Sequence, residues 1–205
     1  NVARKSPQRI VFSEGEETKI IRAAYQVQND EIGQPILIGN PEKIMAMVEN
    51  LALDFEPIVL NPANFEQYES YVEAYYSLRR RKGVTQEAAY MAMRDPRVLG
   101  PMVVHMGDAD AYVAGLTMTY PQVIRPALEI FGTRPEAKRA AGAYLMLTKD
   151  KPYLFTDATV NLDTTAEDLA EIAILANDYA SSINMEPVVA MLSFSNFGST
   201  PHPMS

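Results

Sequence analysis

The chain has 205 residues, of which 47% are hydrophobic and 21% are charged, a composition typical of a globular protein with one large domain or two small ones. It contains no cysteine, which excludes disulfides, thiolate metal sites and a cysteine nucleophile. The net charge of −8 argues against broad nucleic-acid binding, and no apolar run approaches the ~20 residues that a membrane span needs.

The first part of the chain predicts strands that alternate with helices. Short apolar runs over residues 9–12, 35–38 and 58–60 are typical of buried strands, and a helical segment follows each of them. Ser13 has Glu16 three residues further on, which resembles a capping box at the start of the first helix. Residues 102–106 are predicted to form a fourth strand, and residues 123–131 a helix. This alternation predicts an α/β fold with a mostly parallel sheet and helices on both faces.

A second domain is predicted after the segment 132–136, so that domain I spans residues 1–135 and residues 136–205 form the first part of domain II. Apolar runs predict strands over residues 143–148, 154–156 and 188–192. Between the last two, Thr165 is predicted to cap a helix that carries Leu169 and Ile172 on one face.

Arg79 lies on the apolar face of a predicted helix. Tyr68, Val72 and Tyr75 recur at steps of three and four residues, and Gly83 ends the pattern. Residues advance by about 100° around a helix, so Arg79 lies close to Tyr75 on the apolar stripe. A guanidinium group in this position needs a carboxylate or a phosphate as its partner.

Arg125 immediately precedes Pro126. Proline suits the first turn of a helix, and the residue before a proline is disfavoured within a helix. Arg125 is therefore predicted to stand beside free amide groups at a helix start, where anions bind. Both arginines are candidates for binding an anionic ligand. The alternative is that Arg79 and Arg125 only pair with the many carboxylates of this chain.

Other polar groups follow predicted strands, where the ligands of open α/β sheets bind. Ser193, Ser195 and Ser199 could hold a phosphate or a thioester carbonyl, or could belong to a solvated loop whose side chains bond to their own backbone. Asp108 and Asp110 could bind a metal or cap the next helix. Their spacing favours capping, and we predict no metal site.

The two ends of the chain are also informative. Asn1 is not an initiator residue, and Ser205 comes soon after a predicted strand, so we expect a fragment of a longer protein. No secretory signal pattern opens the chain, and the cytoplasm is the expected compartment.

Several segments resemble, in the right order, motifs of the phosphate acetyl/butyryl transferase family. They are MGDADAYVAG (106–115), IRPAL (124–128), FTDATVN (155–161), TAEDLAEIA (165–173) and MLSFSNFGS (191–199). Each motif alone is weak, but together they are specific and cover nearly the whole chain. The resemblance implies a three-layer α/β/α, phosphotransacetylase-like fold in two domains, with a ligand cleft between them and the second domain truncated.

Within that family, the chain is most similar to the C-terminal phosphotransacetylase-like region of large bacterial malic enzymes. The segments that favour this subgroup are residues 116–117, 120–121, 124–126 and 195–199. In addition, residues 121–123 and 196–197 differ from those that active transferases usually carry there. The resemblance implies a domain that is not itself catalytic. It would bind acetyl-CoA as an effector and mediate oligomerisation, while a separate N-terminal domain oxidatively decarboxylates malate with NADP and a divalent metal.

The expected partners are an acyl-CoA, the malic-enzyme catalytic domain in cis and further copies of the chain, with no nucleic acid and no membrane. The alternatives are an active phosphate acetyltransferase, which transfers acetyl between CoA and phosphate, and an inert assembly scaffold. The residues that the resemblance and the spacing assign to binding acyl-CoA or phosphate are Arg79, Arg125, Thr117, Tyr120, Ser193, Ser195 and Ser199.

Overall fold

The computed structural model describes residues 3–193, 195–197 and 199–201. The chain forms two compact units, of which the first ends at Gly132 and the second begins at Thr133. The boundary predicted from the sequence lies three residues later, between residues 135 and 136.

The first unit contains a four-stranded parallel sheet with the strand order β3-β2-β1-β4. The strands are β1 (Gln8–Phe12), β2 (Gly33–Ile38), β3 (Ile58–Leu60) and β4 (Ala111–Val113). The helices are α1 (Thr18–Asn29), α2 (Pro41–Asn50), α3 (Tyr68–Arg79), α4 (Gln86–Ala92), α5 (Pro96–His105) and α6 (Tyr120–Phe131). Short 3-10 helices cover Ala3–Lys5 and Arg80–Lys82.

Side chains that alternate along the strands build two cores, one on each face of the sheet. Phe12 and Leu37 pack with buried residues of α1 and α2. Val11, Ile36 and Ile38 pack on the other face with buried residues of α3, α4 and α5 and with Ile130 of α6. Successive strand residues point to opposite faces, so this alternation explains why the apolar runs are continuous in a sheet that is covered on both sides. The predicted α/β fold with a parallel sheet and helices on both faces is confirmed.

The predicted fourth strand over residues 102–106 is wrong, because these residues belong to α5 and the turn that follows it. Asp95 caps this helix by accepting a hydrogen bond from the backbone of Arg97, and Pro96 occupies its first turn. A short apolar run does not by itself distinguish a buried helix from a buried strand. The fourth strand is instead β4, a short segment that pairs with Ile10, Val11 and Phe12 of β1.

The predicted capping role of Ser13 is also wrong. The residue that caps α1 is Glu17, and its side chain makes no capping hydrogen bond. Ser13 and Glu14 are buried immediately after β1. The helix at Arg79 does end as predicted, because the chain passes through a 3-10 turn into Gly83, whose φ of 89° is in the left-handed region.

The second unit contains an antiparallel hairpin of β5 (Ala143–Leu147) and β6 (Pro152–Thr156), followed by α7 (Ala166–Ser182). Thr165 caps α7 as predicted, and Asp168 completes the capping box by accepting a hydrogen bond from the backbone of Thr165 at 2.9 Å. The predicted strand over residues 188–192 is wrong: these residues pair with none of the described strands, and Val188 is 97% exposed. None of the described helices is both long and apolar enough to span a membrane.

Candidate functional site

The strand order places a topological switch point between β1 and β4. The chain leaves β1 towards β2 on one side, and β4 joins the sheet on the other side. In open α/β sheets, ligands bind outside the carboxyl ends of the strands at such a point. The two segments that meet there are residues 13–17, after β1, and residues 114–119, after β4.

Glu14 joins these two segments. Its carboxylate accepts hydrogen bonds from the backbone N–H groups of Gly115 at 2.7 Å, Leu116 at 2.9 Å and Thr117 at 2.5 Å. The Thr117 hydroxyl donates a further hydrogen bond to Glu14 Oε1 at 2.6 Å. Burial raises the pKa of Glu14, but these hydrogen bonds outweigh burial and the pKa is lower than usual.

The predicted binding residue Thr117 is thus part of an anion-binding arrangement that an internal carboxylate already occupies. Consecutive backbone N–H groups and a hydroxyl are donors of the kind that would hold a phosphate. With Glu14 in place, they fix the conformation of the loop instead. Sequence reasoning missed Ser13 and Glu14 as site residues, although a polar pair directly after a buried strand of an α/β sheet is a usable signal.

Arg79 ends α3, and its side chain is 20% exposed. Its Nη2 atom lies 3.3 Å from Glu129 Oε2, and Nη1 donates to the Glu129 carbonyl oxygen at 3.5 Å. The predicted need of this arginine for an anionic partner is met here by a carboxylate. Tyr75 lies beside the pair: burial raises the pKa of its hydroxyl, and so does the Glu129 carboxylate, whereas Arg79 lowers it.

The predicted position of Arg125 at a helix start is wrong, because α6 begins five residues earlier at Tyr120. Thr119 and Gln122 fix that start, since Gln122 Oε1 accepts a hydrogen bond from the Thr119 backbone at 2.8 Å. Pro126 lies inside the helix, and Arg125 is an exposed residue within its second turn. Its Nε atom donates to Glu129 Oε1 at 3.0 Å.

Arg79 and Arg125 therefore meet at one carboxylate. The sequence predicts that each arginine binds an anion, but it does not predict that they share a partner or that this partner is Glu129. The alternative interpretation, in which both arginines pair with carboxylates of this chain, describes their contacts in this structure. Their role in binding a ligand stays a prediction, as does that of Tyr120, which is 42% exposed at the first position of α6.

The three predicted serines lie in the second unit. Ser195 donates its backbone N–H to Ser193 Oγ at 3.1 Å, and Ser195 Oγ accepts from the backbone of Thr200 at 3.1 Å. The backbone N–H of Ser199 donates to the Asn196 carbonyl at 2.9 Å. These bonds match the alternative of a loop that bonds to its own backbone, and the ligand-binding role of the serines stays a prediction. Phe194, Gly198 and His202, which belong to the same stretch, lie outside the described residues.

The predicted capping role of Asp108 and Asp110 is wrong. Asp110 pairs with Arg9, with Oδ1 2.9 Å from Nη2, and Asp108 Oδ2 accepts a hydrogen bond from the Tyr71 hydroxyl at 2.5 Å. The two aspartates thus connect the start of β4 to β1 and to α3. Across the described ranges, no group of three or more His, Asp or Glu side chains is placed to hold a metal ion.

A polar network organises the second unit. The Asp157 carboxylate accepts hydrogen bonds from the backbone of Gly142, Thr159, Val160 and Asn161. Burial raises the pKa of Asp157, but these bonds outweigh burial and the pKa is lowered. The network holds the turn after β6 against the segment before β5, so this part of the FTDATVN motif has a structural role.

Comparisons with known proteins agree with this fold. The family model for phosphate acetyl/butyryl transferases matches residues 1–205. A phosphate acetyltransferase of Nitratidesulfovibrio vulgaris is 39% identical over 194 residues, which cover 94% of this chain and 28% of that protein. A phosphate acetyltransferase of Staphylococcus epidermidis is 37% identical over 193 residues, which cover 93% of this chain and 58% of that protein.

Two solved structures share the fold. The EutD phosphotransacetylase from Staphylococcus aureus aligns with a TM-score of 0.85 and 33% identity, over 96% of this chain and 60% of that one. A phosphotransacetylase from Streptococcus pyogenes aligns with a TM-score of 0.87 and 32% identity, over 98% of this chain and 63% of that one. The chain therefore spans less than two thirds of the length of each of these four relatives.

The predicted assignment to a malic enzyme, with its oxidoreductase activity and its allosteric role, is wrong. The relatives that match almost the whole chain are named phosphate acetyltransferases. Two of the residues that differ from the transferase pattern have local structural roles, because Pro121 lies in the first turn of α6 and Gln122 caps it. These residues are explained by the way in which α6 begins, so they do not indicate the activity of the protein. The family itself was recognised correctly: the chain belongs to the phosphate acetyl/butyryl transferase family.

Proposed function

We propose that the protein is a phosphate acetyltransferase, which transfers an acetyl group between CoA and inorganic phosphate. The observation that carries this proposal is similarity to proteins of that name over 93–94% of the chain at 37–39% identity. Because the chain spans only part of the length of these relatives, the proposal concerns the whole protein and not the 205 residues alone.

The proposed reaction is an acyl transfer. An oxygen of phosphate attacks the thioester carbonyl carbon, a C–O bond forms, the C–S bond breaks, and the thiolate of CoA leaves and takes up a proton. Both substrates are anionic, so the protein must bind negative charge and hold the two reacting groups together. Arg79 and Arg125 are the proposed anion-binding residues, because they are brought together at one place in the first unit.

Acetyl-CoA takes part in this proposal as a substrate and not as an effector. We also retain as proposals that the protein forms a homo-oligomer, that it acts in the cytoplasm, and that Thr117, Tyr120 and the serines Ser193, Ser195 and Ser199 contribute to the binding of acyl-CoA or phosphate. For Thr117 this contribution is indirect, since its hydroxyl is bonded to Glu14.

Steady-state kinetics of the full-length protein test the proposal. We expect acetyl phosphate to form from acetyl-CoA and phosphate, and Arg125→Ala to lower kcat/KM about tenfold or more, as expected for losing a charge-assisted hydrogen bond. Arg22→Ala is the matched control, because Arg22 is an exposed arginine on α1, on the opposite face of the sheet.

The outcomes separate two claims. A folded wild-type protein that forms no acetyl phosphate would refute the proposed function. Transfer that is equally fast in the wild-type protein and the Arg125→Ala variant would leave the function in place but remove Arg125 from the binding site.

A further inference from the structure

Glu129 lies between two arginines that approach it from different helices. Arg79, at the end of α3, places Nη2 3.3 Å from Glu129 Oε2. Arg125, one turn earlier on α6, places Nε 3.0 Å from the other carboxylate oxygen. One carboxylate therefore serves two guanidinium groups.

This arrangement is unbalanced in charge and in hydrogen bonding. Two positive groups share one negative group, which leaves a surplus positive charge in a chain whose net charge is −8. In addition, Arg79 Nε is buried and has no hydrogen-bond partner among the described residues. A buried N–H group without an acceptor costs free energy, so an additional acceptor beside Arg79 would stabilise it.

The ion pair between Glu129 and Arg125 is weak. The Arg125 side chain is 81% exposed, and exposed ion pairs contribute little to stability. The pair also has the arginine at position i and the glutamate at position i+4, which is the less favourable order along a helix. A stronger anion can therefore replace the carboxylate at Arg125 at small cost.

We propose that Glu129 is an internal counter-anion that a phosphate group of a ligand displaces from Arg79 and Arg125, and that Glu129 thereby limits the affinity for phosphate. A phosphate with two negative charges balances both arginines, whereas the carboxylate balances only one. Guanidinium groups also bind phosphate oxygens through paired hydrogen bonds. The inference deepens the proposed function and rests on it only for the choice of phosphate as the ligand.

The test is the affinity of the full-length protein for inorganic phosphate and, separately, for CoA, measured by calorimetry at fixed ionic strength. Glu129→Gln keeps the size of the side chain and removes its charge. We expect this variant to bind at least one of the two probes roughly 3–10-fold more tightly than the wild type, because the competing anion is gone. Glu69→Gln is the matched control, since it makes the same charge change on an exposed residue at the opposite end of α3 from Arg79.

Tighter binding in Glu129→Gln, with the affinity of Glu69→Gln within about twofold of wild type, supports the proposal. If only inorganic phosphate binds more tightly, the displacing group is the phosphate substrate; if only CoA does, the displacing group is a phosphate of CoA. Equal or weaker binding of both probes in Glu129→Gln overturns the proposal, because Glu129 would then orient the arginines for the ligand. Failure of the wild type and the variant to bind either probe overturns it as well.

If Glu129→Gln does not fold, Glu129→Asp serves as the second variant. The shorter side chain keeps the charge but draws the carboxylate back from the two guanidinium groups. We therefore expect the affinity of this variant to exceed that of the wild type, and equal or lower affinity refutes the proposal. None of these measurements requires turnover. A protein that transfers no acetyl group but shows tighter phosphate binding in Glu129→Gln would refute the proposed function and support this inference.

Discussion

Two glutamates of the first unit bind hydrogen-bond donors in different settings. Glu14 is buried and accepts from three consecutive backbone N–H groups, so its partners are fixed by the fold. Glu129 accepts from two arginine side chains, one of which is largely exposed. We therefore expect the loss of the Glu14 charge to affect stability and the loss of the Glu129 charge to affect ligand affinity.

Glu14→Gln should lower the free energy of unfolding by about 2–3 kcal/mol near neutral pH, because a buried carboxylate with charge-assisted hydrogen bonds becomes a neutral amide. The pKa of Glu14 is lowered in the folded protein, so its contribution is present above the unfolded pKa of about 4.3 and is lost as the pH falls through the folded value. Urea unfolding at several pH values should show that the difference in the free energy of unfolding between the wild type and Glu14→Gln becomes smaller below about pH 4.

Glu56→Gln provides the control for this prediction, because Glu56 is exposed and the same charge is removed. A Glu14→Gln protein as stable as Glu56→Gln at neutral pH would mean that the loop after β4 does not depend on the Glu14 carboxylate.

At the scale of residues, the sequence predicts the burial of a side chain correctly where helix periodicity determines on which face of the helix it lies. The apolar stripe of α3 correctly indicated that Arg79 is mostly buried and needs an anionic partner. It did not predict that the partner is Glu129, because that contact joins two helices and depends on how α3 packs against α6. The environment of Arg125 was predicted wrongly for a local reason: Pro121 and Pro126 both suit a helix start, and the capping by Thr119 and Gln122 selects the earlier one.

At the scale of elements, α5 packs closely against β4. Gly100 lies within α5, and a Cβ atom at this position would overlap the ring of Tyr112 on β4. The Tyr112 hydroxyl in turn lies 3.5 Å from Ser13 Oγ, at the carboxyl end of β1. This glycine therefore sets how near the helix comes to the strand beside the switch point.

Gly100→Ala should destabilise the protein by about 1–3 kcal/mol through overpacking, although the same change in an ordinary helix stabilises by about 1 kcal/mol. The measurement is urea unfolding of the full-length protein. In a Tyr112→Ala background the cost of Gly100→Ala should largely disappear, because the overlapping ring is gone. A stabilising effect of Gly100→Ala in the wild-type background would contradict this packing.

Helices and strands were predicted best where a capping residue and the length of the apolar pattern were compatible with only one type of element. The helix capped by Thr165 was predicted with its correct start, whereas the buried apolar run within α5 was predicted as a strand. The strand β4 was missed because its pairing with β1 is a contact between distant parts of the sequence. Such pairing follows from tertiary structure and has no local signal.

At the scale of the whole molecule, the order of several weak motifs identified the family, and the family model and solved structures agree with it. The finer assignment failed because it rested on a few residues. Relatives at 37–39% identity differ at most positions, so a handful of departures such as Pro121 and Gln122 carry little information about activity. Both residues are explained by the start of α6.

The most direct test of the account is whether the full-length protein forms acetyl-CoA from acetyl phosphate and CoA, followed as the appearance of the thioester. We predict turnover of about 1–1000 s⁻¹, the ordinary range for a dedicated enzyme, and no reaction with a CoA analogue that lacks the thiol. A folded protein that binds CoA but forms no thioester from acetyl phosphate would contradict the account.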